Sequence, residues 1–450
     1  MPKRPEIKTL TATAPQVLNA IRNSATENYK NLIPYASPDA SSIKAIGSIM
    51  MQYAPLQNEF LSALVNRIGR VIITSKLYSN PWAFLKRGYL EFGETLEEIF
   101  VNLAKPFQFN PEVAEETVFK REIPDVKAAF HTMNYQKFYK ATIQNEQLRQ
   151  AFLSWDGISD LIARIVDSMY TGANYDEFLT MKYTLARHIL DGHIKPYAID
   201  TVTAPNMKSI IAGVKGISNT LEFMSTDYNI AGVSTFTRKE DQYLFINAKF
   251  DALVDVEVLA AAFNMDKAEF MGRRILVDSF GALDNGRLAM LFRDDPTYRP
   301  ISGAELTLLD SIPAVLVDRN FLMMYDNFQD FAEIYNGEGL YWNYWYHVWK
   351  TFSVSPFHNA LVFVEGTPSV TSVTVTPRTV SATAGQYVSF SASVVTNNFA
   401  SKAVDWSAMD GAIDNSGNLF IPDDATGSIT VTATSVFDPT KSDTATVTIS

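Results

Sequence analysis

Cysteine is absent from all 450 residues. That removes disulfides, thiol nucleophiles and zinc–thiolate sites in one step. Long apolar runs are missing as well. None approaches the ~18–20 residues that a membrane-spanning helix needs. A cleaved export signal is not expected, because Met1-Pro2-Lys3-Arg4 leads into polar residues without an apolar core. Basic charge is in deficit, with 38 Lys and Arg against 49 Asp and Glu and a formal charge of −11. A broadly acidic chain gains nothing from the counterion release that drives nucleic-acid binding.

The motifs of common chemistries are missing too. There is no G-x-x-x-x-G-K-[ST] phosphate loop, no G-x-S-x-G elbow and no H-E-x-x-H metal helix. The only histidines are His131, His188, His193, His347 and His358. His188 and His193 flank Asp191, but an i,i+5 spacing does not share one helix face, so a polar helix end before Gly192 is the expectation. The acidic pairs Glu97-Glu98, Glu115-Glu116 and Asp294-Asp295 read as solvated faces. Adjacency alone does not make two carboxylates converge in a cleft. Asp414-Asn-Ser-Gly417 lacks the spaced acidic ligands of a calcium loop and reads as a hairpin turn. Neither an active site nor a cofactor or metal is expected.

What is present is an ordinary globular composition, 47% apolar and 19% charged. The length implies two or three domains. Aromatics are plentiful, with 29 Phe, 20 Tyr and 6 Trp. Such residues dominate cores and subunit interfaces, so the excess leans towards assembly.

A boundary is expected near Glu365-Gly366-Thr367-Pro368, where composition shifts to Thr, Ser, Val and Ala. Residues 367–450 carry three basic and seven acidic side chains, a net −4, which leaves −7 for the remainder. No basic arm hides inside the total. The tail alternates apolar and polar in Ser372-Val-Thr-Val-Thr-Pro377, Tyr387-Val-Ser-Phe-Ser-Ala-Ser-Val394, Ser428-Ile-Thr-Val-Thr-Ala-Thr434 and Thr444-Ala-Thr-Val-Thr-Ile449. Period-two runs separated by turn residues predict an all-β sandwich with Trp406 as a core aromatic.

Residues 1–366 read as mixed α and β. Thr13-Ala-Pro-Gln16 resembles a capping box, followed by Val17, Leu18, Ile21, Ala25 and Tyr29 at helical spacing. A second helix is predicted across Phe60, Leu61, Leu64, Val65 and Ile68. Residues 70–118 read as a long extended excursion. The longest helical signal runs from about Asn145 to 171 through Leu148, Phe152, Trp155, Ile158, Ile162, Ile165 and Met169, and a shorter helix spans about Asp176 to Leu190. Between 200 and 330, short strands at Tyr243–Ile246, Ile275–Val277 and Ala314–Val317 alternate with short helices such as Val256–Phe263. The aromatics of Gly339-Leu-Tyr-Trp-Asn-Tyr-Trp-Tyr-His-Val-Trp-Lys350 could stack on bases, but only Lys350 supplies positive charge, so buried strands are the better reading. Ser353–Val364 continues as another strand.

Several segments in order resemble the major capsid proteins of phi29-like podoviruses. They are Asn19-Ala-Ile-Arg-Asn-Ser24, Val118-Phe-Lys-Arg-Glu-Ile-Pro-Asp-Val-Lys127, Ala151-Phe-Leu-Ser-Trp155, Leu259-Ala-Ala-Ala-Phe-Asn-Met265, Gly339-Leu-Tyr-Trp-Asn-Tyr344 and His347-Val-Trp349. The resemblance implies an α+β HK97-like capsid fold over 1–366, with an N-arm, an extended loop (about 70–118), a spine helix (about 145–171), an axial domain (about 200–330) and a peripheral sheet that takes the strands at 339–364. The tail resembles a bacterial immunoglobulin-like domain of group 2 (BIG2), through Ser372–Pro377, Val404-Asp-Trp-Ser407 and Ile413–Leu419.

The implied function is a structural protein that tiles hexamers and pentamers into an icosahedral or prolate head, assembled in the bacterial host cytoplasm around double-stranded DNA held non-specifically. Scaffold protein, portal or connector and head fibres are the implied partners. The Ig-like domain would decorate the outer surface, either stabilising capsomers or touching a host surface glycan, or else serving as a spacer with no ligand, and no membrane role is expected. Arg70, Lys76, Trp82, Phe84, Lys86 and Arg87 are the candidate inter-subunit contacts in the extended loop. Some shells of this type join a loop Lys to a neighbouring Asn covalently. Lys86 is the candidate here, but no Asn and buried Glu are placed beside it by sequence, so a non-covalent shell is expected. A secreted carbohydrate-active enzyme and a cell-surface adhesin are the rival readings. The first lacks an export signal and paired carboxylates, and the second lacks tandem sandwiches.

Overall fold

In the computed structural model the described residues are 14–63, 79–91, 95–107, 120–144, 157–259, 273–409 and 411–449. The expectations at Arg70, Lys76, Leu148, Phe152 and Trp155 lie outside them. The chain forms two compact units, each assembled from separated segments.

The first unit comprises residues up to Thr95, Thr132–Met181 and Met324–Phe352. Its N-terminal helices are Ala14–Ser24, Glu27–Leu32, Ala40–Gln52 and 54–63. The single period expected from Val17 to Tyr29 is interrupted because Thr26 caps a new helix, its side chain accepting from the Tyr29 amide. Asp39 caps the next helix by accepting from the amides of Ser41 and Ser42. A four-stranded sheet has the order Lys86–Tyr89, Leu322–Asn336, Tyr341–Val354, Tyr135–Gln144.

The aromatic stretch forms the third of these strands and pairs antiparallel with Tyr135–Gln144. Period two sends Trp342, Tyr344, Tyr346 and Val348 inward, where they meet Val17, Ile21, Ile46, Met50 and Phe60 of the helices in one core. Phe331 stacks on Tyr346 with ring centroids 4.6 Å apart. The sequence reading of this stretch as buried strand agrees with the structure.

The helical signals read as two, about 145–171 and Asp176–Leu190, are one continuous helix over the described part, Gly157–Leu190. Gly172 and Asn174 lie between the two expected helices. Each costs a helix interior at most about 1 kcal/mol, which burial of Ile165, Met169, Ala173, Leu179 and Leu185 outweighs.

The second unit comprises Leu96–His131, Lys182–Met323 and Ser353–Ser450. Its central sheet has the order Lys195–Ile199, Ala360–Glu365, Ala314–Asp318, Gln242–Asn247, Arg273–Val277. Every residue of Gln242–Asn247 and Ala314–Asp318 is buried, so the middle of the sheet is covered on both faces. Helices Met207–Thr220 and Ala248–Leu259 contribute Ile210, Val214, Ile217, Phe250 and Val254 to one covering layer. The expected helix at Val256–Phe263 therefore starts earlier, at Ala248, and residues beyond Leu259 lie outside the description. Ala360–Glu365 corrects another expectation. It joins this sheet, pairing parallel with Lys195–Ile199 and antiparallel with Ala314–Asp318, rather than following Tyr341–Val354 into the first. Residues 355–359, with Pro356 among them, separate the two strands and redirect the chain.

Beyond Glu365 only Gly366, Thr367 and Pro368 precede the next strand, Ser369–Thr376. The remaining strands form a two-, a three- and a four-stranded sheet around Val373, Val375, Phe390, Leu419, Ile429, Val431 and Val447. The turn at Asp414–Gly417 closes as expected, with the Asp414 amide donating to the Asn418 carbonyl at 3.0 Å and Gly417 at φ +84°. This module meets the corner after the long helix. A Cβ on Gly192 (φ +73°) would stand 2.8 Å from the Ser401 Cα.

Candidate assembly surface and charge clusters

The expected excursion at 70–118 returns later than predicted, through a strand. Leu96–Val101 pairs antiparallel with Val126–His131, aligning Glu97 with Phe130, Ile99 with Ala128 and Val101 with Val126. The legs stay together beyond the strands. The Asn102 amide donates to the Asp125 carbonyl at 2.9 Å, and Lys105 pairs with Glu122 at 3.1 Å.

Strand alternation divides the hairpin into two faces. Leu96, Glu98, Phe100, Lys127, Ala129 and His131 turn towards the body of the second unit. Phe100 stacks on Phe357 at 5.6 Å, and Lys127 donates to the Ala231 carbonyl at 2.6 Å. The opposite face carries Glu97, Ile99, Val101, Val126, Ala128 and Phe130, all exposed. Phe130 is 65% exposed and Ile123, on the following leg, 83%. The outer face of this strand pair is almost wholly apolar and uncovered, the kind of patch that marks interaction sites.

Glu98 corrects the reading of Glu97-Glu98 as one solvated face. Neighbours on a strand point to opposite sides, so Glu97 faces solvent while Glu98 is drawn inward. Its carboxylate meets His131 Nε2 at 3.2 Å and His358 Nε2 at 3.4 Å. The other ring nitrogen of His358 lies 3.6 Å from Asp318, which also accepts from the Thr237 hydroxyl at 2.7 Å. Burial pushes Glu98 up, but hydrogen bonds from His131, His358 and Ser355 outweigh it and bring the group down to about 2. Burial works against the charged form of His358, but Asp318 and Glu98 raise it to about 9. Both groups are therefore charged at neutral pH.

A second cluster lies within the first unit. Lys350, buried, ion-pairs with Glu177 and Asp326. Lys86 reaches the same two carboxylates, at 3.4 Å and 2.9 Å, and the Asn80 amide donates to Glu177 at 2.6 Å. Burial would lower Lys350, yet the two carboxylates hold it above its ordinary value, while Lys350 and Lys86 hold Asp326 below its own. Asn80 and the buried Glu177 of the same chain thus stand beside Lys86, a placement that the sequence alone did not give. The chemistry is nonetheless an ion-pair network. Lys86 enters it as a salt-bridge partner of both carboxylates.

The other candidate contacts divide by burial. Trp82 is 1% exposed and lies edge-on to Phe178 at 5.4 Å, so it packs inside its own chain, as Lys86 does through its ion pairs. Phe84 and Arg87 are exposed. Trp406 is half-buried against the core of the C-terminal module, 6.5 Å from Phe390. His188 and His193 sit at the helix end with their Nδ1 atoms 3.0 Å apart. Burial and mutual repulsion lower His188 to about 4, which leaves it neutral at pH 7. Among the described residues no group of three or more possible metal ligands converges, and no helix is long and apolar enough to cross a membrane.

A family model described as phi29-like phage major capsid protein matches residues 18–364. The major capsid protein of Bacillus phage B103 is 37% identical over 428 residues, covering 93% of this chain and 89% of that protein. That of Bacillus phage PZA is 34% identical over 429 residues, with the same coverage. A match over 93% of the chain reaches into the C-terminal module, beyond the end of the family match. Among solved structures, a chain from the capsid structure of Staphylococcus phage Andhra is 17% identical with a TM-score of 0.49, covering 64% of this chain and 85% of that one. The chain belongs to the phi29-like phage major capsid protein family, and is a structural component of the virion rather than an enzyme.

Proposed function

We propose that this capsid protein adopts the HK97-type plan and tiles hexamers and pentamers into an icosahedral or prolate head around double-stranded DNA, assembling in the host cytoplasm with scaffold protein, portal and head fibres. In this reading the hairpin Leu96–His131, together with the segment before it, is the extended loop that lies across a neighbouring subunit. Residues 367–450 are an immunoglobulin-like sandwich on the outer surface with a host glycan as its ligand. The observation that carries the assembly reading is the two-faced hairpin: one face is committed to its own body, and the other is apolar and uncovered.

The magnitudes favour closed rings. Fully covering Ile99, Val101, Val126 and Phe130 stabilises by at most about 6–12 kcal/mol, taking roughly 1.5–3 kcal/mol for each. Immobilising a subunit costs about 4–15 kcal/mol. One such contact is marginal alone, and a ring in which every subunit gives one and receives one makes it hold. The paired variant Ile99→Lys and Val101→Lys keeps the inward face intact. Purified subunits carrying it are expected to remain unassembled under conditions where the parent forms shells, as seen by electron microscopy. Normal shells from that variant would remove the hairpin face from the interface.

A further inference from the structure

We propose that the His358 imidazolium is a clasp that fixes the extended hairpin to its own body, held between Glu98 of the hairpin and Asp318 of the central sheet. The inference rests on reading the hairpin as the assembly arm, and concerns what sets its direction before a neighbour arrives.

Three features of the geometry point to it. Among the described residues the hairpin is also tied to the body by the Phe100–Phe357 stack, the Lys127 contact with the Ala231 carbonyl, the hydrogen bonds of His131 and Glu98 to Ser353 and Ser355, and the Ser234 amide donating to Asn102 at 3.3 Å. The charged contact links the hairpin root to the central sheet through a single side chain, with Glu98 on one side of His358 and Asp318 on the other. Asp318 belongs to a fully buried strand and is itself fixed by Thr237 and by the Asn320 amide at 2.7 Å, so one jaw of the clasp is rigid. His131, on the second hairpin strand, binds the same Glu98 carboxylate and reaches the Ser353 hydroxyl at 2.8 Å, which ties both hairpin strands to residues 353–358. The groups facing His358 are Glu98 from the hairpin and Asp318 from the sheet, with His131 on the far side of Glu98.

The sign of the pH dependence follows. His358 is raised to about 9, so its contribution is complete below the ordinary histidine value and is lost as pH rises through about 9. Glu98 is lowered to about 2, so its contribution is complete above the ordinary carboxylate range and is lost as pH falls through about 2. The clasp is therefore closed at physiological pH and opens from the alkaline side.

The test is amide hydrogen exchange on the unassembled full-length protein, corrected for the intrinsic effect of pH. In His358→Gln at pH 7, amides of 96–101 and 126–131 are expected to exchange at least about tenfold faster, the effect of losing one charge-assisted hydrogen bond from a local opening. Amides of the central sheet should be unchanged, which separates local release from failed folding. Glu98→Gln should give the same pattern from the hairpin side. The parent should show the same loosening between pH 8 and 10, whereas His358→Lys should stay protected through pH 10. Hairpin protection unchanged in both neutral variants would overturn the clasp, as would a parent insensitive to that pH range. These readouts need no assembly, so they stand or fall separately from the Ile99 and Val101 variant, which tests the arm itself.

Discussion

Lys350 sits where a core residue would be, and its worth comes from the company it keeps. Lys350→Met removes the cation that Glu177 and Asp326 share and leaves Lys86 as the cation for both carboxylates. Leaving a buried charge uncompensated typically costs about 3–5 kcal/mol. The single variant should lose that much in urea denaturation of the first unit. Adding Glu177→Gln should recover part of the loss, because the double change removes charge in balance. Neither cluster was legible from residue types. Lys86, Glu177, Asp326 and Lys350 are spread over more than 260 positions, and only the pairing of three strands and the placing of the long helix beside them bring the four together. Glu98 was closer to being legible. Thr95–Val101 reads as extended, and alternation along an extended run implies that Glu97 and Glu98 face opposite ways.

Among the elements, local signals were read well where period and burial agree. The strand Tyr341–Val354 and the short strands at Gln242–Asn247 and Ala314–Asp318 were visible as apolar runs. The helix Met207–Thr220 was overlooked although Met207, Ile210, Ile211, Val214 and Ile217 repeat at three to four residues. The partner choice of Ala360–Glu365 was hidden, since sheet membership depends on contacts distant in sequence. Two element junctions make checkable demands. Trp82 anchors the turn Ala83–Leu85 ahead of the strand Lys86–Tyr89. Trp82→Ala should cost about 3–5 kcal/mol by denaturant titration, the usual loss for a large buried aromatic. Gly192 holds a left-handed turn against the C-terminal module. Gly192→Ala adds both backbone strain and a clash, and should destabilise by about 1–3 kcal/mol. It should also raise proteolytic cleavage near residues 400–403 before cleavage elsewhere.

For the molecule as a whole, composition already pointed away from catalysis and towards assembly, and the resemblance supplied the family. What neither supplied was which surface is free. That depends on which hairpin face the body covers, a matter of docking rather than of pattern. If the C-terminal module is an accessory, truncation at Gly366 should leave head formation intact, with a lower dissociation temperature by calorimetry. Absence of any particle on electron microscopy would give the module an essential place in the lattice.

The short link of Gly366, Thr367 and Pro368, together with the Gly192 contact, gives the module one seat on its subunit rather than a loose tether. If the module faces outward, as proposed, every copy holds it in the same orientation on its own subunit, and the particle repeats it at regular intervals. Binding of the proposed glycan by such an array would be a matter of avidity. A ligand held only at millimolar strength by one module would be gripped firmly by a face bearing many, provided its own spacing matches theirs.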